Sequence, residues 1–214
     1  MSSEDSPGFG TSVALELTPQ GWATRARLVQ AAAKVFAEIG FIHCRFTDIT
    51  ARAETAPATF FRYFDSTQAI FKAVMDEVIA DFLAAPRADQ PDDADPVRQI
   101  DQENRQYVGA YRKHAAIMRV FEQVAAYDDE VAEMRRALRE RFAERAARSI
   151  DRWRRLGLCD RTYTPRLLAD LLIAMVDNFS HTRLSLRHDY ADQEIAAAMT
   201  QVWVGALGIQ RAAD

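Results

Sequence analysis

Glycine and proline are scarce in this chain, 8 and 7 among 214 residues, and no segment alternates apolar with polar residues as a half-buried strand would. With few helix breakers and plentiful Ala, Leu, Arg and Glu, the composition excludes a loop-rich or β-rich protein and predicts an all-α fold. Cysteine is nearly absent. Cys44 and Cys159 are too few for a disulfide framework, so a reducing cytosol is expected, with both thiols acting as small buried apolar groups. No uninterrupted apolar run is long enough to span a bilayer, so no membrane partner is expected. The start, "MSSEDSPGFGTS", has no basic stretch followed by an apolar one; residues 1–17 read as a disordered polar tail and not a signal peptide.

What is present is 49% hydrophobic and 27% charged residues, the composition of a chain able to bury a core unaided. The charge is unevenly spread. Thr24 to Thr67 carries six basic residues against four acids, although the whole chain has a net charge of −4. A positive front segment on an acidic protein suits a localised anionic partner and not a general coating of nucleic acid.

Leu28, Ala32, Val35, Phe36 and Ile39 form a helical stripe ended by Gly40, with Thr18-Pro19 and Thr24 both credible starts. Thr47 reads as the cap of a short second helix bearing Ile49 and Ala53. A short break precedes a third helix, about Ala56 to Phe64, and a fourth begins near Ser66 and ends before Pro86. This is the order of a helix-turn-helix unit. "PRADQPDDADP" reads as a solvated loop whose acids lack the spacing of a calcium site. Later helices are expected at Val97–Lys113, Ala115–Ala126, Asp129–Leu156, Thr164 to about Arg187, and Tyr190 to about Ile209.

Phe60, Phe61, Tyr63 and Phe64 crowd the third helix. Phe60 and Phe64, four apart, share a face that can pack on Leu28, Phe36 and Ile49, which leaves Phe61, Arg62 and Tyr63 pointing elsewhere. A reading helix in a major groove needs this division, with packing behind and small groups in front. Ala56, Pro57, Ala58 and Thr59 let the backbone approach base edges, and the Thr47 hydroxyl suits a phosphate. On composition alone, the core of a small helical bundle accounts for the same rings better, since such stripes usually pack inward.

Thr24 to Val74 resembles the DNA-binding domain of the TetR family of bacterial transcriptional regulators. The resemblance is carried by the Thr-Arg start, "AAAKVFAEIG", "FTDITARA" and the block from Thr59 to Ser66. It implies a helix-turn-helix DNA-binding domain at residues 18–67 and a ligand-binding and dimerisation domain at 68–214. It further implies a homodimer on a palindromic double-stranded DNA operator, acting as a repressor in the bacterial cytoplasm at the nucleoid and released by a small, largely apolar effector. Arg25, Arg45, Thr47, Ala56, Pro57, Ala58, Thr59, Phe61, Arg62, Tyr63 and Thr67 are the expected DNA-facing residues. Four positions depart from the family. Glu54 stands where Gly is usual at the turn, Ala56 replaces a capping Ser (with Thr55 able to cap instead), Phe61 replaces Tyr, and Thr67 replaces Lys. Two phosphate contacts are thereby lost, which weakens binding and flattens its salt dependence. A ligand-binding protein of the same fold with weakened or lost DNA binding is the alternative that Glu54, Phe61 and Thr67 favour.

In the rear segment, Arg105, Tyr107, Tyr111, His114, Met118, Phe121, Phe142, Met175, Asn178 and Phe179 offer large or orienting side chains for an effector pocket. Leu168, Leu172, His181, Ala198, Met199, Val202, Trp203 and Ala206 lie on the last two helices, whose pairing with a second copy would make an isologous four-helix interface. Their alternative role is an intramolecular core. No metal-ligand spacing and no nucleophile–base pair stands out, so no cofactor, metal or catalytic residue is assigned.

Overall fold

The computed structural model describes residues 17–83, 95–184 and 190–209. The expected tail save Leu17, the Pro86–Pro96 loop save its last two residues, and the approach to Arg187 lie outside them. All the described elements are helices, and the chain divides into two compact units after Val78.

In the first unit, α1 (Pro19–Ile39) starts at Thr18, whose Oγ1 accepts a hydrogen bond from the Gly21 N–H at 3.2 Å. Thr24 lies inside the helix. Gly40, at φ +79°, ends α1 in a conformation that disfavours any L side chain. α2 (Phe46–Arg52) does not start at Thr47. Arg45 is its N-cap, and the Asp48 carboxylate accepts the Arg45 N–H at 2.8 Å, so an acid outcompetes the threonine hydroxyl for the helix start. α3 (Pro57–Phe61) is shorter than expected, because Tyr63 and Phe64 turn back with their N–H groups on the Phe60 carbonyl. α4 (Thr67–Leu83) is capped by Ser66 Oγ, which accepts from the Ala69 N–H at 3.0 Å. Leu28, Phe36, Ile49, Phe60 and Phe71 are wholly buried and form this unit's core. Phe71 meets Phe36 edge-on with ring centroids 5.1 Å apart.

In the second unit, α5 is a single helix, Pro96–Ala125, where the sequence suggested two. Nothing breaks it at His114, because Lys113-His114-Ala115 holds no Gly or Pro and the buried series Ile100, Asn104, Val108, Tyr111, Met118, Phe121 stays in phase across that point. α6 (Asp129–Arg155) is capped by Asp128, with acids in its first turn, arginines in its last and Gly157 beyond. α7 (Pro165–Phe179) starts at Thr164 and passes into one π-helical turn, Ser180–Leu184. α8 (Asp192–Ala206) packs chiefly on α5, and α7 chiefly on α6.

Candidate functional site

Three surfaces carry the candidate chemistry. On α3 and the residues flanking it, Phe60 and Phe64 are buried, whereas Ala56, Pro57, Ala58, Phe61 and Arg62 are exposed and Thr59 and Tyr63 are half-buried. Phe60 stacks among the rings of Phe46, Phe61 and Phe64, at 5.8, 5.4 and 5.9 Å. The side chain of α3 that anchors is thus separate from those that face outward. Phe61 is 56% exposed yet still touches Phe46, with centroids 4.9 Å apart.

The expected DNA-facing residues do not share one environment. Arg45 and Thr47 are exposed at the start of α2, beside the Asp48 carboxylate, whose charge opposes an incoming phosphate. Arg25 is half-buried, its guanidinium 5.0 Å from the Phe64 ring centroid and 5.8 Å from that of Trp22, which holds it over aromatic faces. Thr67 is half-buried at the first position of α4.

Glu54 takes φ +52°, the left-handed conformation that the turn between α2 and α3 requires. A non-glycine residue costs about 1–2 kcal/mol there, and glycine returns about 0.5–1 kcal/mol of that through its freer unfolded chain. Glu54→Gly is therefore expected to stabilise the first unit by about 0.5–1 kcal/mol. Urea unfolding checks this, and an unchanged or lower midpoint refutes the strain account. Thr55 does not replace the missing serine cap: Ala56 is the N-cap of α3 without a side-chain bond, and Thr55 Oγ1 is buried with no partner among the described residues.

The second surface is a cavity of about 440 Å³ in the second unit. Of the expected pocket residues, Arg105, Tyr107, Met118 and Phe142 line it. Tyr111 and Phe121 are buried in packing contacts outside its wall, and Asn178 is exposed. His114 bonds the Asp81 carboxylate at 2.7 Å, and Lys113 reaches the same oxygen at 2.6 Å. Those two hydrogen bonds, Lys113 first, hold the Asp81 carboxyl below its usual range. Asp81 and Phe82, at the end of α4, belong to the cavity wall.

Sequence reasoning missed Asn104, Arg139, Arg145, Asp177 and Trp153, all of which line the cavity. A signal was available: Leu138, Phe142, Arg145, Ser149 and Trp153 recur at helical spacing along one stripe of α6. Arg139 pairs with Asp177, and Arg145 reaches Glu103 at 3.1 Å. Tyr107 is hydrogen-bonded to Ser180, the first residue of the π turn, and burial pushes its phenol well above the ordinary value. π turns inserted in helices are frequent at functional sites.

The third surface is apolar and solvent-facing. Leu168, Leu172, Met199 and Trp203, expected at the dimer contact, are buried in the protomer's own core, and Trp203 lines the cavity. The outward residues of α7 are their neighbours Leu167, Leu171 and Met175, and those of α8 are Ala198, Val202 and Ala206; His181 is also exposed. Met175 and Phe179 line not the larger cavity but a more open groove of about 280 Å³ with Tyr190, Ala198 and Val202; Val176 lies in the wall of both.

Cys44 and Cys159 are free and buried; burial pushes the Cys44 thiol up to about 11 and raises that of Cys159, which keeps both unreactive. Among the described residues no group of three or more His, Cys, Asp or Glu is placed to hold a metal ion, and no helix is long and apolar enough to cross a membrane.

Residues 28–74 match the family model described as bacterial regulatory proteins, tetR family. A transcriptional regulator from Rhodococcus sp. Rha1 is similar in structure at 20% identity and a TM-score of 0.71, over 88% of this chain and 99% of that one. Salmonella enterica GusR is similar at 20% identity and 0.70, over 91% and 100%. SmeT, solved as a complex with triclosan, is similar at 19% identity and 0.71, over 86% and 91%. No curated protein sequence matches. The front of the chain carries the tetR-family helix-turn-helix domain, and the chain as a whole has the fold of TetR-like transcriptional regulators.

Proposed function

We propose that this chain, with a tetR-family head at residues 28–74, is a repressor that binds a palindromic DNA operator as a homodimer and is released by a small, largely apolar effector. The observation that carries the reading is the division of α3, where Phe60 anchors the helix while Ala56, Pro57 and Ala58 stand exposed at its leading end. Small side chains there permit close approach to base edges and contact with a thymine methyl. A dimer would supply two such heads for two half-sites about one DNA turn apart. The exposed apolar faces of α7 and α8 support that assembly.

The effector site in this reading is the 440 Å³ cavity, within the size range of small-molecule pockets. α4 links the two functions along one helix: it begins at Thr67, next to the reading segment, and its last turn contributes Asp81 and Phe82 to the cavity wall. An effector that displaces Phe82 or competes for the Asp81–Lys113–His114 cluster would shift the end of that helix.

Selection of genomic fragments at low and moderate salt, followed by titration of the recovered site, tests the reading. An enriched palindrome bound by a dimer is expected, and the absence of any enriched site at low salt would sink it. The second reading, a ligand-binding protein whose head has lost DNA, is favoured by Glu54 at φ +52°, by the missing phenol at Phe61 and by Thr67. Thr67→Lys separates the two. It should tighten operator binding and steepen the salt dependence of log K by about 0.9 per head, one phosphate contact each. Unchanged or weaker affinity overturns the account of position 67.

A further inference from the structure

The wall of the cavity carries hydrogen-bond donors that find no acceptor among the described residues. Trp153 and Trp203 are 2% and 8% exposed, both line the cavity, and neither indole N–H has an acceptor among the described residues. An indole nitrogen can only donate, and a buried donor without an acceptor is costly, so such N–H groups are normally satisfied.

The two indoles lie at nearly the same level of the bundle. Asn104 donates to Thr200 at 3.1 Å and Arg112 pairs with Asp192 at 2.7 Å, so α5 and α8 run antiparallel and Trp203 falls opposite the first turns of α5. Arg152 reaches Gln99 at 2.6 Å and Arg145 reaches Glu103 at 3.1 Å, so α6 also runs antiparallel to α5 and brings Trp153 to the same end. Arg139 lies 14 residues before Trp153 on α6, about 21 Å away along the axis. Its buried Nε is a third donor without an acceptor, while its Nη2 is occupied by Asp177.

The charge in the wall is balanced. Arg105, Arg139 and Arg145 are paired with Asp101, Asp177 and Glu103 respectively. A buried carboxylate on the ligand would find no uncompensated cation among these three, whereas a neutral acceptor needs none. A ligand rich in O–H or N–H groups would meet two indoles that cannot accept. The rings of Phe82, Tyr107, Phe142 and both tryptophans favour a flat apolar body.

We infer that the effector is a neutral, planar, largely apolar molecule bearing carbonyl-type acceptors, one end of which is read by the N–H groups of Trp153 and Trp203. This rests on the reading of the cavity as the effector site. The ligand is an acceptor, and its selectivity comes from the two donors that the protein does not use itself.

Four tricyclic probes test it by calorimetric titration of the full-length protein: 9-fluorenone (C=O), fluorene (CH2) and carbazole (N–H), which share one planar frame, and fluorene-9-carboxylate, whose charged group stands out of that plane. Fluorenone is expected to bind about tenfold more tightly than fluorene, carbazole no more tightly than fluorene, and the carboxylate more weakly than fluorenone. Trp153→Phe and Trp203→Phe should each bring the fluorenone-to-fluorene ratio towards one. The ranking in the unmodified protein stands whether or not either variant folds. Equal binding of fluorenone and fluorene, or tightest binding of carbazole, overturns the acceptor inference while leaving the cavity as a ligand site. Tightest binding of the carboxylate overturns its neutrality. If none of the four binds, the effector-cavity reading itself fails, and the inference with it.

Discussion

Phe60→Ala is expected to destabilise the N-terminal unit by about 3–5 kcal/mol, the cost of emptying a fully packed aromatic site. Phe60 has no solvent exposure and is ringed by Phe46, Phe61 and Phe64 at centroid distances of 5.8, 5.4 and 5.9 Å. Few other side chains can close the gap, because α3 has only five residues and Phe60 is its sole buried one. A loss of that size is comparable to the whole stability of a small domain, commonly about 5–15 kcal/mol. Amide exchange in residues 18–78 should therefore accelerate towards that of an unfolded segment, and operator binding should disappear with it. Phe61→Ala is the control. Its ring is 56% exposed, so the expected loss is about 1 kcal/mol or less. Similar losses for both variants would mean that α3 does not divide into an anchoring ring and an outward face.

Leu171→Glu is expected to turn a dimer into a monomer, raising the dimer dissociation constant at least about a thousandfold, or roughly 4 kcal/mol. Leu171 is 60% exposed in the protomer, more than any other large apolar residue of α7, and sits one turn from both Leu167 and Met175. In an isologous contact each protomer would bury one unpaired carboxylate, so the penalty enters twice. Within the protomer the same change meets water and should alter folding stability by less than about 0.5 kcal/mol. Sedimentation velocity across a concentration series reads the assembly directly. A variant that stays dimeric, or a parent that is monomeric, removes the α7–α8 face as the interface. Leu172→Glu, one residue on, should instead unfold the protomer, since Leu172 is 5% exposed.

That contrast marks where sequence reasoning stopped. α7 carries Leu167, Leu168, Leu171, Leu172, Ile173, Met175 and Val176, apolar on most of its circumference, so periodicity establishes the helix and leaves its rotation open. Only the neighbours decide that Leu168 and Leu172 face inward. α8 shows the same ambiguity, with Trp203 inside and Val202 outside. The α1 stripe, by contrast, reads in one phase through Leu28, Ala32, Val35 and Phe36, all buried; only Ile39, expected on the same stripe, is exposed, because it closes the helix where packing ends. The pocket was half legible. Tyr107 and Phe142 stand out as large rings, but Trp153 and Arg139 join the wall through the pairing of α6 with α5 and α7, a relation between distant segments.

The sequence by itself determined the all-α class, the helix boundaries that Gly40, Gly157 and Thr164 set within a few residues, and the helix-turn-helix order at the front. Those are local matters of capping, backbone freedom and spacing, and each is settled by side chains one turn apart. The tertiary structure alone decided that α5 is unbroken, which faces of α7 and α8 remain exposed, and that two tryptophans from different helices leave their donors unused in one cavity. These depend on which helix packs against which, and that follows from summed burial over the whole core and not from any short run of residues.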